Sequence, residues 1–239
     1  MINAALDIGN TLVKVGIFNA DTLMKKQVFN SLEESIKYLL SEKLDRMVVA
    51  SVKHDPEELN ALLPSKLGAL VLKYTTPVPF KNKYRSASLG IDRIALVAGA
   101  LTLSHNKPAM VIDAGTCITY DYVNQKGEYL GGAISPGLDM RFKSLHTFTA
   151  KLPLVEAVNS ANWIGNDTPS CMQSGVLNGI IGEINGFIEV YQEHHPDLQV
   201  FITGGSANYF ESKIKETIFA VPELLLVGLN AILKHNASN

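Results

Sequence analysis

Apolar and polar positions change period along this chain in an order that occurs twice. Ala4-Ala5-Leu6 is a short apolar run ending at Asp7-Ile8-Gly9-Asn10-Thr11, and alternating residues follow from Leu12 to Phe18. This predicts strands over 2–7, 12–18 and 23–29, with Asn19-Ala20-Asp21 turning between the last two. The period then becomes helical. Leu32, Ile36, Leu39 and Leu40 share one face, behind Ser31 as N-cap and Glu34 three residues on in a capping box. A buried strand is expected at 47–52. A helix opens at Asp55-Pro56 and ends near Pro64, and a strand follows at 69–72. After an irregular stretch from Thr76 to Leu89, an apolar helix runs from Ile94 to about Leu103.

The second half repeats the order. Ala109-Met110-Val111-Ile112 leads into Asp113-Ala114-Gly115-Thr116, and strands are expected at 109–113, 117–123 and 128–134. A Gly/Pro-rich exit, Gly131 to Gly137, precedes a helix from Leu138 to Thr147. Residues 148–168 read as loop, and Pro169 to His194 as one long helix. Gly175, Gly179, Gly182 and Gly186 recur on that helix at three- or four-residue spacing, each costing about 1 kcal/mol against alanine. Such a stripe permits close approach of another helix at a domain or subunit contact. A strand at 198–202 ends in Thr203-Gly204-Gly205, and a strand near 218–221 precedes a closing helix from Pro222 to about His235. Three strands followed by alternating helices and strands, used twice, predict two α/β domains, 1–106 and 107–239. Each has a mixed sheet, with a cleft between the two.

Composition narrows the function classes. The 239 residues are 46% hydrophobic and 18% charged, enough for a sizeable core. A net charge of −2 without a Lys/Arg cluster speaks against nucleic acid or an anionic membrane as the main partner. Cys117 and Cys171 make neither a metal spacing nor a disulfide framework, so a reduced cytoplasmic setting is expected. No signal peptide is expected at the start of the chain, and no apolar run approaches a membrane span.

The duplicated turn carries the candidate chemistry. In Asp-x-Gly-(Asn)-Thr, glycine brings bare N–H groups close to a ligand, threonine adds a hydroxyl, and aspartate holds a cation or its bound water. One copy is as well explained by a hairpin turn; two copies in matching strand contexts favour a phosphate cradle. Asp92 is either the N-cap of its helix or a carboxylate at the mouth of the cleft. Glycines Gly204 and Gly205 after a strand suit nucleotide approach, or merely start a helix. No Walker loop is present. Two phosphate turns and a carboxylate base point to an ATP-dependent phosphotransferase or ATPase.

The layout resembles the acetate and sugar kinase, heat-shock protein and actin superfamily, whose two duplicated domains are ribonuclease H-like. More narrowly, it resembles the type III pantothenate kinases. Asp7 to Thr11 with Gly16, Leu89 to Arg93, Asp113 to Thr116, Gly131 to Gly137, Ile164 to Thr168 with Met172 to Gly175, and Thr203 to Gly205 match that family's motifs in order. The resemblance implies that Asp7, Ile8, Gly9, Asn10, Thr11, Leu12, Val13, Lys14, Gly115, Thr116, Gly204 and Gly205 bind ATP. It implies Asp92 as the base, and Tyr84, Gly90, Ile91, Asp92, Arg93 and Thr168 as pantothenate contacts, Thr168 coming from the partner subunit of a homodimer. It also implies Mg-ATP as phosphoryl donor, and a monovalent cation, potassium or ammonium, on Asp113. Three positions depart from the family. Cys117 stands where alanine is frequent, Asp167 where asparagine is usual, and Tyr84 six rather than seven residues before Gly90. Rival readings are a kinase for another small hydroxylated substrate and a non-catalytic regulator of the same fold.

Overall fold

The computed structural model describes residues 1–86, 88–105, 107–215 and 217–237. In chain order the elements are β1 (Ile2–Ile8), β2 (Val13–Asn19), β3 (Thr22–Phe29), α1 (Leu32–Ser41), β4 (Arg46–Ser51), α2 (Pro56–Leu62), β5 (Ala69–Val71), β6 (Lys81–Asn82), α3 (Ile91–Ser104), β7 (Ala109–Ala114), β8 (Cys117–Val123), β9 (Glu128–Pro136), α4 (Leu138–Thr147), α5 (Thr168–His194), β10 (Gln199–Thr203), α6 (Ala207–Glu211), β11 (Phe219–Ala220) and α7 (Leu224–Ala237). Two sheets result. One has the order β3-β2-β1-β4-β5, the other β11-β10-β7-β8-β9-β6. Read from β9 to β11, the second sheet repeats the third-second-first-fourth-fifth order of the first, so the duplication seen in sequence is a duplication of topology. The antiparallel β1–β2–β3 meander and the parallel β1–β4–β5 half give the mixed sheet.

Each element follows from its residues. Ala4, Ala5 and Leu6 of β1 are fully buried because helices cover both faces of the strand. On one face Leu6, Val15, Met47 and Val49 pack with Leu39 of α1 and Leu59 of α2. Strand β3 is the sheet edge, and it carries Lys25 and Lys26 outward, which discourages edge-to-edge pairing. At α1 the Ser31 side chain accepts from the Glu34 amide at 3.2 Å, while the Glu34 carboxylate takes the amide of Asn30 rather than that of Ser31. The expected box is therefore half made and extended outward by one residue.

The chain divides into two compact units, residues 1–106 with 126–130 and 223–239, and residues 107–125 with 131–222. Two segments that the sequence places in 107–239 thus group with the first half. The closing helix α7 does so for a steric reason. A Cβ on Gly228 would lie 1.7 Å from the Ala95 carbonyl oxygen, and one on Gly99 would lie 2.4 Å from the Leu224 carbonyl oxygen, so paired glycines let α3 and α7 approach backbone to backbone. Asn230 of α7 is buried, accepts from Asn3 Nδ2 and donates to the Ala20 carbonyl, both at 2.9 Å. Residues 126–130 group with the first half because β6, unforeseen in the sequence, pairs in parallel with Glu128 and Tyr129.

Candidate active site

Asp7, one residue before the end of β1, faces Lys14 across the β1–β2 ladder, with Lys14 Nζ 4.0 Å from its carboxylate. The turn between them closes through the Gly9 amide, which donates to the Leu12 carbonyl at 3.1 Å. Asn10 and Thr11 are exposed on it, whereas the side chains of Ile8 and Val13 belong to the core and leave only backbone for a ligand. Burial is the main influence on Asp7. It pushes the carboxyl from 3.8 up to about 6, Lys14 draws it down, and the like charge of Asp92 raises it again. A desolvated carboxylate with its cation as far off as 4.0 Å suits a further positive charge.

Asp92 lies beside this turn at the second position of α3. Gly90 is the N-cap, so the N-cap alternative for Asp92 does not hold. The carboxylate sits in the first turn, accepts from the Arg93 amide at 2.8 Å, and approaches Gly90 so closely that a Cβ there would meet Asp92 Oδ1 at 2.4 Å. Its position in the first turn also benefits from the helix dipole. Arg93 is almost wholly buried, and its guanidinium lies over the Tyr84 ring, 5.6 Å from the centroid. Tyr84 in turn stacks on Tyr129 at 6.0 Å and 19°, and the Lys83 amide donates to the Tyr129 carbonyl at 2.9 Å. Strand β6 thereby aims Tyr84 at the start of α3. Asp7, Lys14, Tyr84, Gly90, Asp92 and Arg93 are all in the first unit.

A second group forms in the other unit. Asp113, one residue before the end of β7, lies opposite Thr203 of β10 in parallel register. Gly204 has φ +97°, and a Cβ there would lie 2.4 Å from Asp113 Oδ1, so the Thr203-Gly204-Gly205 turn packs directly on that carboxylate. The Ser206 amide donates to the Ala114 carbonyl at 2.9 Å, and the Gly115 amide to the Cys117 carbonyl at 3.0 Å. Asp113, Gly115, Thr116, Gly204 and Gly205 are thus one cluster, although their loops lie far apart in sequence. Among the described residues no group of three His, Cys, Asp or Glu forms a metal cage. Single carboxylates of this kind suit a cation shared with ligand oxygens.

Thr168 is the first residue of α5. It lines a cavity of about 620 Å³ with Arg141, Cys171, Met172 and Val176. Asp167 is the N-cap, accepting from the Ser170 amide at 2.8 Å in a complete capping box, and the Ser170 hydrogen bonds hold its carboxyl below the usual range. The Asp167 charge is therefore engaged with the helix end. One constellation was missed in sequence: Glu183 of α5 receives hydrogen bonds from Tyr120, Ser135 and Arg141. A lone acidic residue inside Gly179-Ile180-Ile181-Gly182-Glu183-Ile184 was the available signal.

The described helices include none long and apolar enough to cross a membrane. A profile of the family described as type III pantothenate kinase matches residues 4–190. A type III pantothenate kinase from Christiangramia forsetii is 42% identical, covering 98% of this chain and 99% of its own. Among solved structures, a protein described as a Baf-family transcriptional activator from Campylobacter jejuni superposes with a TM-score of 0.66 at 22% identity, over 99% of this chain and 100% of its own. The activator of 2-hydroxyisocaproyl-CoA dehydratase from Clostridium difficile, with bound ADPNP, gives 0.55 at 13% identity, over 100% and 96%. At these identities the two structures speak for the fold alone.

Proposed function

The chain belongs to the type III pantothenate kinase family, and on that premise we propose that it phosphorylates pantothenate at the expense of ATP, the first step of coenzyme A biosynthesis, with Asp92 as the base. The observation that carries the assignment of the base is the place of the Asp92 carboxylate, which accepts from the Arg93 amide in the first turn of α3, beside the Asp7 turn. Asp92 takes the proton of the primary alcohol while the alcohol oxygen bonds to the γ-phosphorus. The bond from that phosphorus to the bridging oxygen breaks, and ADP leaves with the electron pair. Arg93, held against the face of the Tyr84 ring, pairs with the carboxylate of the substrate. Gly9 to Lys14 and Gly115 to Thr116 bind the nucleotide phosphates through backbone N–H groups, hydroxyls and the Lys14 ammonium, and Gly204 and Gly205 admit the adenosine.

The burial of Asp7 near the end of β1, with Lys14 Nζ 4.0 Å from its carboxylate, supports it as the residue that holds the magnesium of Mg-ATP. The ion would neutralise phosphate charge in transfer. Asp113, against the Gly204 turn, is the proposed ligand of a monovalent cation. The enzyme acts in the cytoplasm as a homodimer in which Thr168 completes the partner's pantothenate site. Support for the dimer comes from α5. Gly175, Gly179, Gly182 and Gly186 have open space beyond them, and the neighbouring Phe148, Trp163 and Ile164 expose large apolar side chains.

The test is ADP release from Mg-ATP and pantothenate, in potassium and then in sodium alone. Pantothenate-dependent release that requires potassium agrees with the whole reading. Release in either salt removes the cation assignment, and no release from folded protein removes the kinase.

A further inference from the structure

Glu183 is an ionisable residue in a part of α5 that is otherwise apolar or glycine. Three donors from three elements converge on it. Tyr120 Oη of β8 donates to Oε1 at 2.8 Å, Ser135 Oγ of β9 to the same oxygen at 2.5 Å, and Arg141 Nη2 of α4 to Oε2 at 2.5 Å. Arg141 also donates through Nε to the Pro136 carbonyl at 2.8 Å. One turn along α5, Phe187 stacks on the ring of Tyr120 at 4.1 Å and 20°. Burial alone would raise the Glu183 carboxyl, but the hydrogen bonds from Ser135, Arg141 and Tyr120 and the charge of Arg141 bring it below its ordinary value. Burial pushes the Tyr120 hydroxyl up, and its bond to Glu183 raises it further, so it remains a donor.

A half-buried ion pair is a poor way to gain stability, since an apolar contact of similar volume does as well or better. What such a network supplies is a fixed register, and the elements it fixes surround one turn. Tyr120 lies on the strand that leaves Gly115-Thr116. Ser135 and Arg141 flank Gly137, whose amide donates to the Thr116 carbonyl at 3.1 Å. A Cβ on Gly137 would lie 2.3 Å from the Thr116 oxygen and 2.5 Å from the Gly115 oxygen. The bend at 135–137 therefore rests on the turn with no slack, and movement of either flank moves the turn.

We propose that Glu183 is a positioning residue for nucleotide binding, clamping Tyr120, Ser135 and Arg141 so that the bend at Ser135–Gly137 holds Gly115 and Thr116 in register for the ATP phosphates. The proposal rests on the reading of Gly115-Thr116 as a phosphate turn.

The test compares Glu183→Ala, Glu183→Gln and Ser135→Ala by steady-state kinetics and thermal melting, with Thr116→Ala as reference. The KM for ATP rises about tenfold in Glu183→Ala and about threefold in the two milder variants, while kcat and the KM for pantothenate stay within about twofold. Glutamine keeps the acceptor for Ser135 and Tyr120 and restores part of the loss. Lower melting temperatures with an unchanged KM for ATP would overturn the proposal, leaving Glu183 a stability residue. If Glu183→Ala does not fold, the two milder variants decide. A raised KM for ATP in Thr116→Ala alone removes the clamp and keeps the phosphate turn. An unchanged KM in Thr116→Ala removes the turn assignment, and the clamp with it.

Discussion

The guanidinium of Arg93 lies 5.6 Å from the centroid of the Tyr84 ring, so the loop before α3 and the first turn of that helix are joined by a cation–π contact. Arg93 is buried, and the contact helps to hold its charge in place. Replacing Tyr84 with Leu removes the ring face, worth about 0.5–2 kcal/mol. The KM for pantothenate should rise roughly two- to thirtyfold, with the KM for ATP unchanged. Tyr84→Phe keeps the face and should stay close to the parent. Equal KM values for Leu and Phe would show that the ring does not position Arg93.

Asp92→Asn retains the oxygen that accepts from the Arg93 amide, so the first turn of α3 should survive. The variant loses the proton acceptor, and kcat should fall about 10²- to 10⁴-fold. Mixed with Thr168→Ala at low pantothenate, it should regain about a quarter of full activity, because half of the random dimers then hold one intact site. Lack of recovery in a mixture that has exchanged subunits would place Thr168 in its own subunit's site.

Asp7 makes opposite predictions for stability and for binding. Its folded pKa is raised from 3.8 to about 6, so the folded protein favours the protonated form. Its contribution to stability is complete below the unfolded value and is lost as pH rises through about 6, a change of about 3 kcal/mol without ligand. Asp7→Asn has no charge to bury. It should gain in melting temperature over the parent as pH goes from 4 to 8, and should fail to bind Mg-ADP. Binding by the parent should strengthen over the same range. A constant difference in melting temperature across that range would place the Asp7 pKa near its ordinary value.

Gly228→Ala tests the contact between α3 and α7. Its Cβ would sit 1.7 Å from the Ala95 carbonyl oxygen, backbone that cannot turn aside. The helices must part, at a cost of about 1–3 kcal/mol or more, seen as a lower melting temperature. Gly179→Ala meets nothing within 4 Å in its own chain and should not lower the melting temperature of a monomer.

What was legible in the sequence was what repeats. Alternation and helical spacing locate β1 to β4 and α1, and the Asp-x-Gly-Thr turns stand out because each ends an apolar strand. Helix α4 spans the expected Leu138–Thr147 because its ends are marked by Gly137 and the following loop. Less legible was anything set by distant pairing. Strand β6 has two residues, too few for a period, and exists because Glu128 and Tyr129 are there to pair with it. The N-cap of α3 fell on Gly90 instead of Asp92, since a backbone shape and not a side-chain bond starts that helix. Glu183 stood out only as a lone acidic residue, with nothing to tell its role, because its partners lie 42 to 63 residues away.

The place of α7 in the first unit bears on how the protein is made. Residues 1–106 leave the ribosome well before Leu224 and Gly228, which supply the cover for Ala95 and Gly99, are synthesised. At about 5–20 residues per second the wait is roughly ten seconds. Through it the nascent chain carries an uncovered apolar seam on α3 and β1. The first half to be translated is then the last to be finished, and in the cell that interval is when trigger-type chaperones and proteases would compete for it.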